Sequence, residues 1–105
     1  MAQIGRRLAE KLLREQHADD IAAAGGLDPD VVEAAALAHD LGHPPSGHVA
    51  EETLCAWLDR TGSFQDGFEG NAQSFRIVTR LAVRRDDVPG LDLTRATLNA
   101  VLKYP

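Results

Sequence analysis

Three histidines and two carboxylates fall within the thirteen residues from His39 to Glu51, in the string HDLGHPPSGHVAE. Histidine and aspartate are intermediate or rare in protein cores and need partners when buried, so packing alone does not account for this density. Imidazole nitrogens and carboxylate oxygens together suit a divalent metal such as Mn, Fe, Co, Ni or Zn, and Mg joins the set where phosphates supply further oxygens. The adjacent His39 and Asp40 are the first candidate ligands. Two ligands do not close a site, so further donors must come from elsewhere. If His48 opens a helix, Glu51 lies three residues on and shares its face, with Glu52 as the rival at four. A carboxylate beside an imidazole holds it in one tautomer and raises its basicity, which suits orienting or deprotonating a water that attacks phosphorus. An ordinary helix-surface ion pair is the plain alternative for the same spacing.

The elements that must position these residues read as helices throughout. Ile4, Leu8 and Leu12 recur at helical spacing and form the apolar stripe of a first amphipathic helix, which ends near Gln16 to Asp20. A short Ala-rich stretch is stopped by Gly25 and Gly26, and Asp28 with Pro29 reads as a cap and first helical position. The helix that follows should run to about His39. Its residues Val31, Val32, Ala35, Ala36 and Leu37 are so uniformly apolar or small that it should be buried on most sides and central to the core. Pro44 and Pro45 cannot continue it, so Gly42 to Gly47 is a tight, rigid loop. A further helix starts near Ser46 to His48, carries Val49, Leu54, Trp57 and Leu58 inward, and ends near Gly62. Beyond a polar loop, Ala72, Phe75, Val78 and Leu81 give another stripe at three-residue steps, ending before the Asp86 to Gly90 turn. The last segment runs from Thr94 through Leu98, Val101 and Leu102 to Tyr104 and Pro105. With no strand pattern or internal repeat, the fold class is all-α.

The chain has 105 residues, enough for one modest core, of which 44% are hydrophobic and 26% charged. A net charge of −5 argues against tracking a long nucleic acid. Nine of its eleven basic residues are Arg, and Arg76, Arg80, Arg84 and Arg85 read as a solvated face, with a local anion site as the alternative. Cys55, the one cysteine, excludes an internal disulfide and reads as a small buried hydrophobe, as Trp57 reads as core. His17 reads as a surface residue. No apolar run is long enough to span a bilayer and the N-terminal residues have no signal-peptide core, so the expected location is the cytoplasm.

The tandem His39-Asp40 followed by LGHPPSGH resembles the HD-superfamily motif in the form used by the deoxyguanosine triphosphate triphosphohydrolases, typically HDLGHPPFGH. GFEGNAQSFRI, from Gly67 to Ile77, is similar to a block that follows that motif in the same family, and the Arg-rich start and LTRATLNAVLKYP also fit. The resemblance implies a partial HD-domain helical bundle over 1–105 that hydrolyses a deoxynucleoside triphosphate to deoxynucleoside and tripolyphosphate. It implies His39 and Asp40 as metal ligands, His43 beside the α-phosphate, and His48 with Glu51 as the catalytic His and its acidic partner. Asn71 and Gln73 become substrate-binding residues, Mg2+ or Mn2+ the preferred ion, and the full-length form a homo-oligomer.

Three departures accompany the resemblance. The family's first histidine ligand lies in a segment resembling THSLEV, immediately before the AQIGRRLA that starts here at Ala2. Its final aspartate ligand lies far downstream of Pro105, and Ser46 stands where the family usually places Phe. A valine codon at Met1 misread as a start would explain the first departure. The competing expectations are a catalytically inactive module that binds nucleotide or oligomerises, and another HD-type phosphohydrolase.

Overall fold

The computed structural model describes residues 1–62 and 67–103. Six α-helices make up the described chain: α1 (Ala2–Glu15), α2 (Ala18–Ala23), α3 (Pro29–Ala38), α4 (Gly47–Thr61), α5 (Gly70–Arg76) and α6 (Arg95–Val101). The fold is all-α. Two isolated backbone bridges, Val83 to Gly90 and Arg85 to Val88, close a small loop and form no strand. Among the described residues, no helix is long and apolar enough to cross a membrane.

Helix boundaries follow the punctuation in the sequence. Asp28 caps α3 by accepting from the Asp30 amide at 2.8 Å, with Pro29 in the first turn where its missing donor costs nothing. Gly62 ends α4 in the left-handed conformation, and Thr94 caps α6 by accepting from the Thr97 amide at 3.2 Å. The polar loop before α5 lies largely outside the described residues, as do Tyr104 and Pro105.

α3 is the middle element, packed between α1 and α6. It is less enclosed than its composition predicts. Ala38 is buried, the preceding turns are half-buried, and Leu37 is exposed, because α1 and α6 cover only part of its circumference. α1 docks through its small residues. Ala9 is buried, and a side-chain carbon at Gly5 would sit 3.2 Å from Val32, so the two backbones approach closely there. Arg6 reinforces the contact with ion pairs to Asp30 and to Glu33, the latter at 2.7 Å. The expected apolar stripe of α1 is therefore on the other side: Ile4 and Leu8 are exposed and Leu12 borders on exposure.

Two further core expectations hold only in part, met by Leu58 and Val78 but not by their neighbours in each stripe. On α4, Leu58 is buried, but Val49 and Trp57 are exposed, Trp57 to 55%. On α5 the buried residues are Gly70, Ser74 and, in the continuation, Val78, spaced by four rather than three. Ala72 and Leu81 face outward. The helix widens into a π-helical turn over Ile77–Leu81, where the Ala82 amide donates to the Ile77 carbonyl at 2.9 Å, which carries Leu81 off the packed face. The radius of gyration, 16.8 Å, exceeds the ~13 Å expected of a compact domain of this length. Extents of 54 × 35 × 23 Å agree with so few enclosed side chains.

Candidate metal centre and active site

α3 ends at Ala38 with His39 as its C-terminal cap, the chain turns through Asp40 to Ser46, and α4 begins, so the candidate residues occupy the corner between two helices. Ser46 takes the left-handed conformation, with φ of 74°. His39 and Asp40 are paired side by side. The His39 Nδ1 lies 2.7 Å from the Ala36 carbonyl and its Nε2 lies 2.7 Å from an Asp40 oxygen. The other Asp40 oxygen lies 3.5 Å from His43 Nδ1, so Asp40 sits between the two imidazoles.

His43, His48 and Glu51 form a second group, with one donor atom from each lying within 4.8 Å of the others. The His43 and His48 rings meet edge to face, their centroids 5.6 Å apart. Glu51 is fixed from two sides. One carboxylate oxygen accepts from the Gly70 amide at 2.8 Å and the other lies 3.2 Å from His48 Nδ1. Glu52, the rival by spacing, makes no such contact and is exposed. The Gly70 amide, opposed by burial and helped by His48, holds the Glu51 carboxyl below the usual glutamate range. Glu51 is 15% exposed and His48 79%, so a fixed anion orients an imidazole that faces solvent.

The donor chemistry fits a divalent cation, because two imidazoles and a carboxylate are oriented toward one another with a second carboxylate alongside. His43 supplies a direct indication. Its ring is 14% exposed, and its Nδ1 is a buried nitrogen without a hydrogen-bond partner. Such an atom costs stability unless something binds it.

Asn71 borders a cavity of about 330 Å³ lined also by His39, Ser74 and Lys103. A second hollow of about 440 Å³, on the His48 and Glu51 side, is bordered by Asn71 and Lys103 as well. Gln73 lines neither, and its backbone amide simply continues the helix from Glu69. Of the arginines, Arg85 is taken up by Asp87 and Asp92, and Arg84 donates to the Leu91 carbonyl at 3.4 Å. Cys55 is half-buried and its thiol donates to the Phe68 carbonyl at 2.7 Å.

Sequence reasoning missed Glu69 and Gly70. Glu69 caps α5, accepting from the Asn71 and Ala72 amides at 3.0 and 2.6 Å and from the Asn71 side chain at 2.6 Å. Burial pushes this carboxyl up, but those hydrogen bonds outweigh it and hold it below the ordinary value of 4.5. A depressed folded-state value means the stabilisation is complete above the unfolded value and is lost as pH falls through the folded one. Glu69→Gln is therefore expected to melt lower near neutral pH, by about 1 kcal/mol. In parallel thermal melts the gap should close on acidification below the glutamate range.

An all-α corner that brings two histidines and a glutamate together beside a His-Asp pair is a cluster suited to metal-dependent phosphohydrolase chemistry. The chain belongs to the HD-domain family, whose model matches residues 1–103. It is 53% identical over 102 residues to a deoxyguanosinetriphosphate triphosphohydrolase-like protein of Streptomyces coelicolor, covering 94% of this chain and 23% of the relative. It is 49% identical over 104 residues to a protein of the same description from Nitrobacter hamburgensis, covering 99% and 22%. A third such protein, from Bifidobacterium longum, is 48% identical over 103 residues, covering 94% and 21%. The chain thus spans about a quarter of the length of the curated relatives it matches.

Proposed function

We propose that this chain carries part of the active site of a cytoplasmic deoxynucleoside triphosphate triphosphohydrolase, releasing deoxynucleoside and tripolyphosphate from a dGTP-like substrate. The observation that carries the reading is the convergence of His43, His48 and Glu51 within 4.8 Å, with Asp40 bridging toward His39. His39 and Asp40 would hold Mn2+ or Mg2+, with phosphate oxygens and residues outside this stretch completing the ligand set. The bound ion would neutralise charge on the phosphates.

The remaining work belongs to the side chains. Glu51 accepts the Nδ1 proton of His48 and leaves Nε2 to take a proton from the attacking water. His43 lies against both groups and faces the α-phosphate. Asn71, beside the 330 Å³ cavity, contacts the substrate, and Gln73, which lines neither cavity, is the second substrate-binding candidate. The longer protein assembles as an oligomer, with a partial HD domain over 1–105.

Product analysis tests the reading. The purified chain is incubated with dGTP and Mn2+, beside a version extended by an upstream THS-like histidine segment and a downstream aspartate. Tripolyphosphate release in one step supports it; stepwise release of single phosphates points to another HD-type hydrolase. No hydrolysis by either folded form leaves a nucleotide-binding or oligomerisation module, the reading that the exposed Leu37 and Trp57 favour.

A further inference from the structure

We infer that Ser74 is a positioning residue whose buried hydroxyl fixes the Asp40 turn in register with the His43, His48 and Glu51 group; this rests on the metal-site reading above. Ser74 is 1% exposed and lies on the packed face of α5. Its Oγ accepts from the Gly42 amide at 2.9 Å. The same oxygen lies 3.2 Å from the His39 carbonyl and 3.0 Å from the Gly70 carbonyl, and its single proton is shared between them.

The two loop groups bracket Asp40. His39 ends α3 with a carbonyl that has lost its helical partner, and Gly42 presents a buried amide three residues on. One hydroxyl takes both, so Asp40 and Leu41 hang from a clamp closed at each end. The same turn of α5 holds the other half of the site. The Gly70 amide binds Glu51, and a side-chain carbon at Gly70 would lie 2.8 Å from the His43 ring. A rigid helix turn therefore sets the Asp40 half and the Glu51 half relative to each other. The Ser74 hydroxyl is engaged by three backbone groups, so it acts through the backbone of the ligand loop.

Removing the oxygen keeps the volume nearly unchanged and strands the Gly42 amide. Loss of a group that orients metal ligands commonly weakens metal binding 10–100-fold, and Ser74→Ala is expected to weaken Co2+ binding by about tenfold or more on that scale. Co2+ is titrated by its visible absorption into the form extended by the upstream histidine segment and the downstream aspartate, as wild type, Ser74→Ala and Val78→Ala, with helicity and melting followed by circular dichroism. Val78 is the next buried residue on the same face, and its carbonyl accepts from the Leu91 amide at 2.8 Å, away from the His39 and Gly42 groups that Ser74 binds, so its variant serves as the control for destabilisation. Weaker Co2+ binding and an altered spectrum in Ser74→Ala, with wild-type affinity in Val78→Ala, support the positioning role. Equal affinity in Ser74→Ala and wild type, or equal weakening in both variants, overturns it. A Ser74→Ala chain that fails to fold overturns it too, since the hydroxyl would then hold the fold and not the site. No Co2+ binding by the folded wild type sinks the metal reading itself.

Discussion

Replacing Glu51 by Gln is expected to lower deoxynucleoside triphosphate hydrolysis by a factor of about 10²–10⁴, the range for losing positioned acid-base catalysis. The volume is unchanged, and the Gln carbonyl still accepts the Gly70 amide that holds Glu51 at 2.8 Å. What changes is the partner of His48. The Glu51 carboxylate lies 3.2 Å from Nδ1 and demands a proton there. An amide NH2 in the same place demands a lone pair, which moves the imidazole proton to Nε2 and removes the acceptor that would take a proton from water. The effect should therefore fall on kcat, with KM changed far less. His48→Ala should lose a similar factor, and the double variant little more, because the two residues act as one unit. Steady-state kinetics on the form of the protein that carries activity decide it; full additivity of the two losses would separate their roles.

The second large effect is expected from a single methyl group. Gly42 packs so tightly on α5 that a side-chain carbon there would overlap the Ser74 nitrogen and the Gly70 carbonyl. These are backbone atoms of a helix and have nowhere to rotate. Overpacking typically costs about 1–3 kcal/mol, and a rigid backbone obstacle places Gly42→Ala at the upper end. At about 4–8 °C per kcal/mol for a domain of this size, the melting temperature should fall by on the order of 10 °C or more. The loop carrying His39, Asp40 and His43 moves away from α5, so metal binding should go with it. A Gly42→Ala chain with unchanged melting and metal affinity would mean that the loop does not rest on α5.

The candidate site was largely legible because its chemistry is local in sequence. His39 to Glu51 crowds polar donors where a helix must end, and the spacing offers Glu51, with Glu52 as its rival, as the partner of His48, of which the structure brings Glu51 to it. Helix ends were legible where Asp28, Pro29, Gly62 and Thr94 mark them. The packed faces were not. A hydrophobic stripe points to the core only if something covers it, and α1 and α5 dock through Gly5, Ala9, Gly70 and Ser74 instead. Small residues permit close backbone approach, a benefit that hydropathy does not register. Trp57 reads as core from its size, yet Glu51 links α4 to the Gly70 amide of α5, Cys55 links it to the Phe68 carbonyl in the segment before α5, and the Trp57 face stays uncovered. The hold of Gly70 on Glu51 was invisible for a simpler reason: it is a backbone amide, and every residue except proline has one.

The most direct test of the metal-centre account is a titration of Mn2+ into the form extended by the upstream histidine segment and the downstream aspartate, with the free ion counted by electron paramagnetic resonance. Wild type should remove Mn2+ from solution at one saturable site, and Asp40→Ala should lose that site while keeping its helical circular dichroism. Mn2+ that stays free in the presence of folded wild type, or binds equally well to Asp40→Ala, would contradict the account.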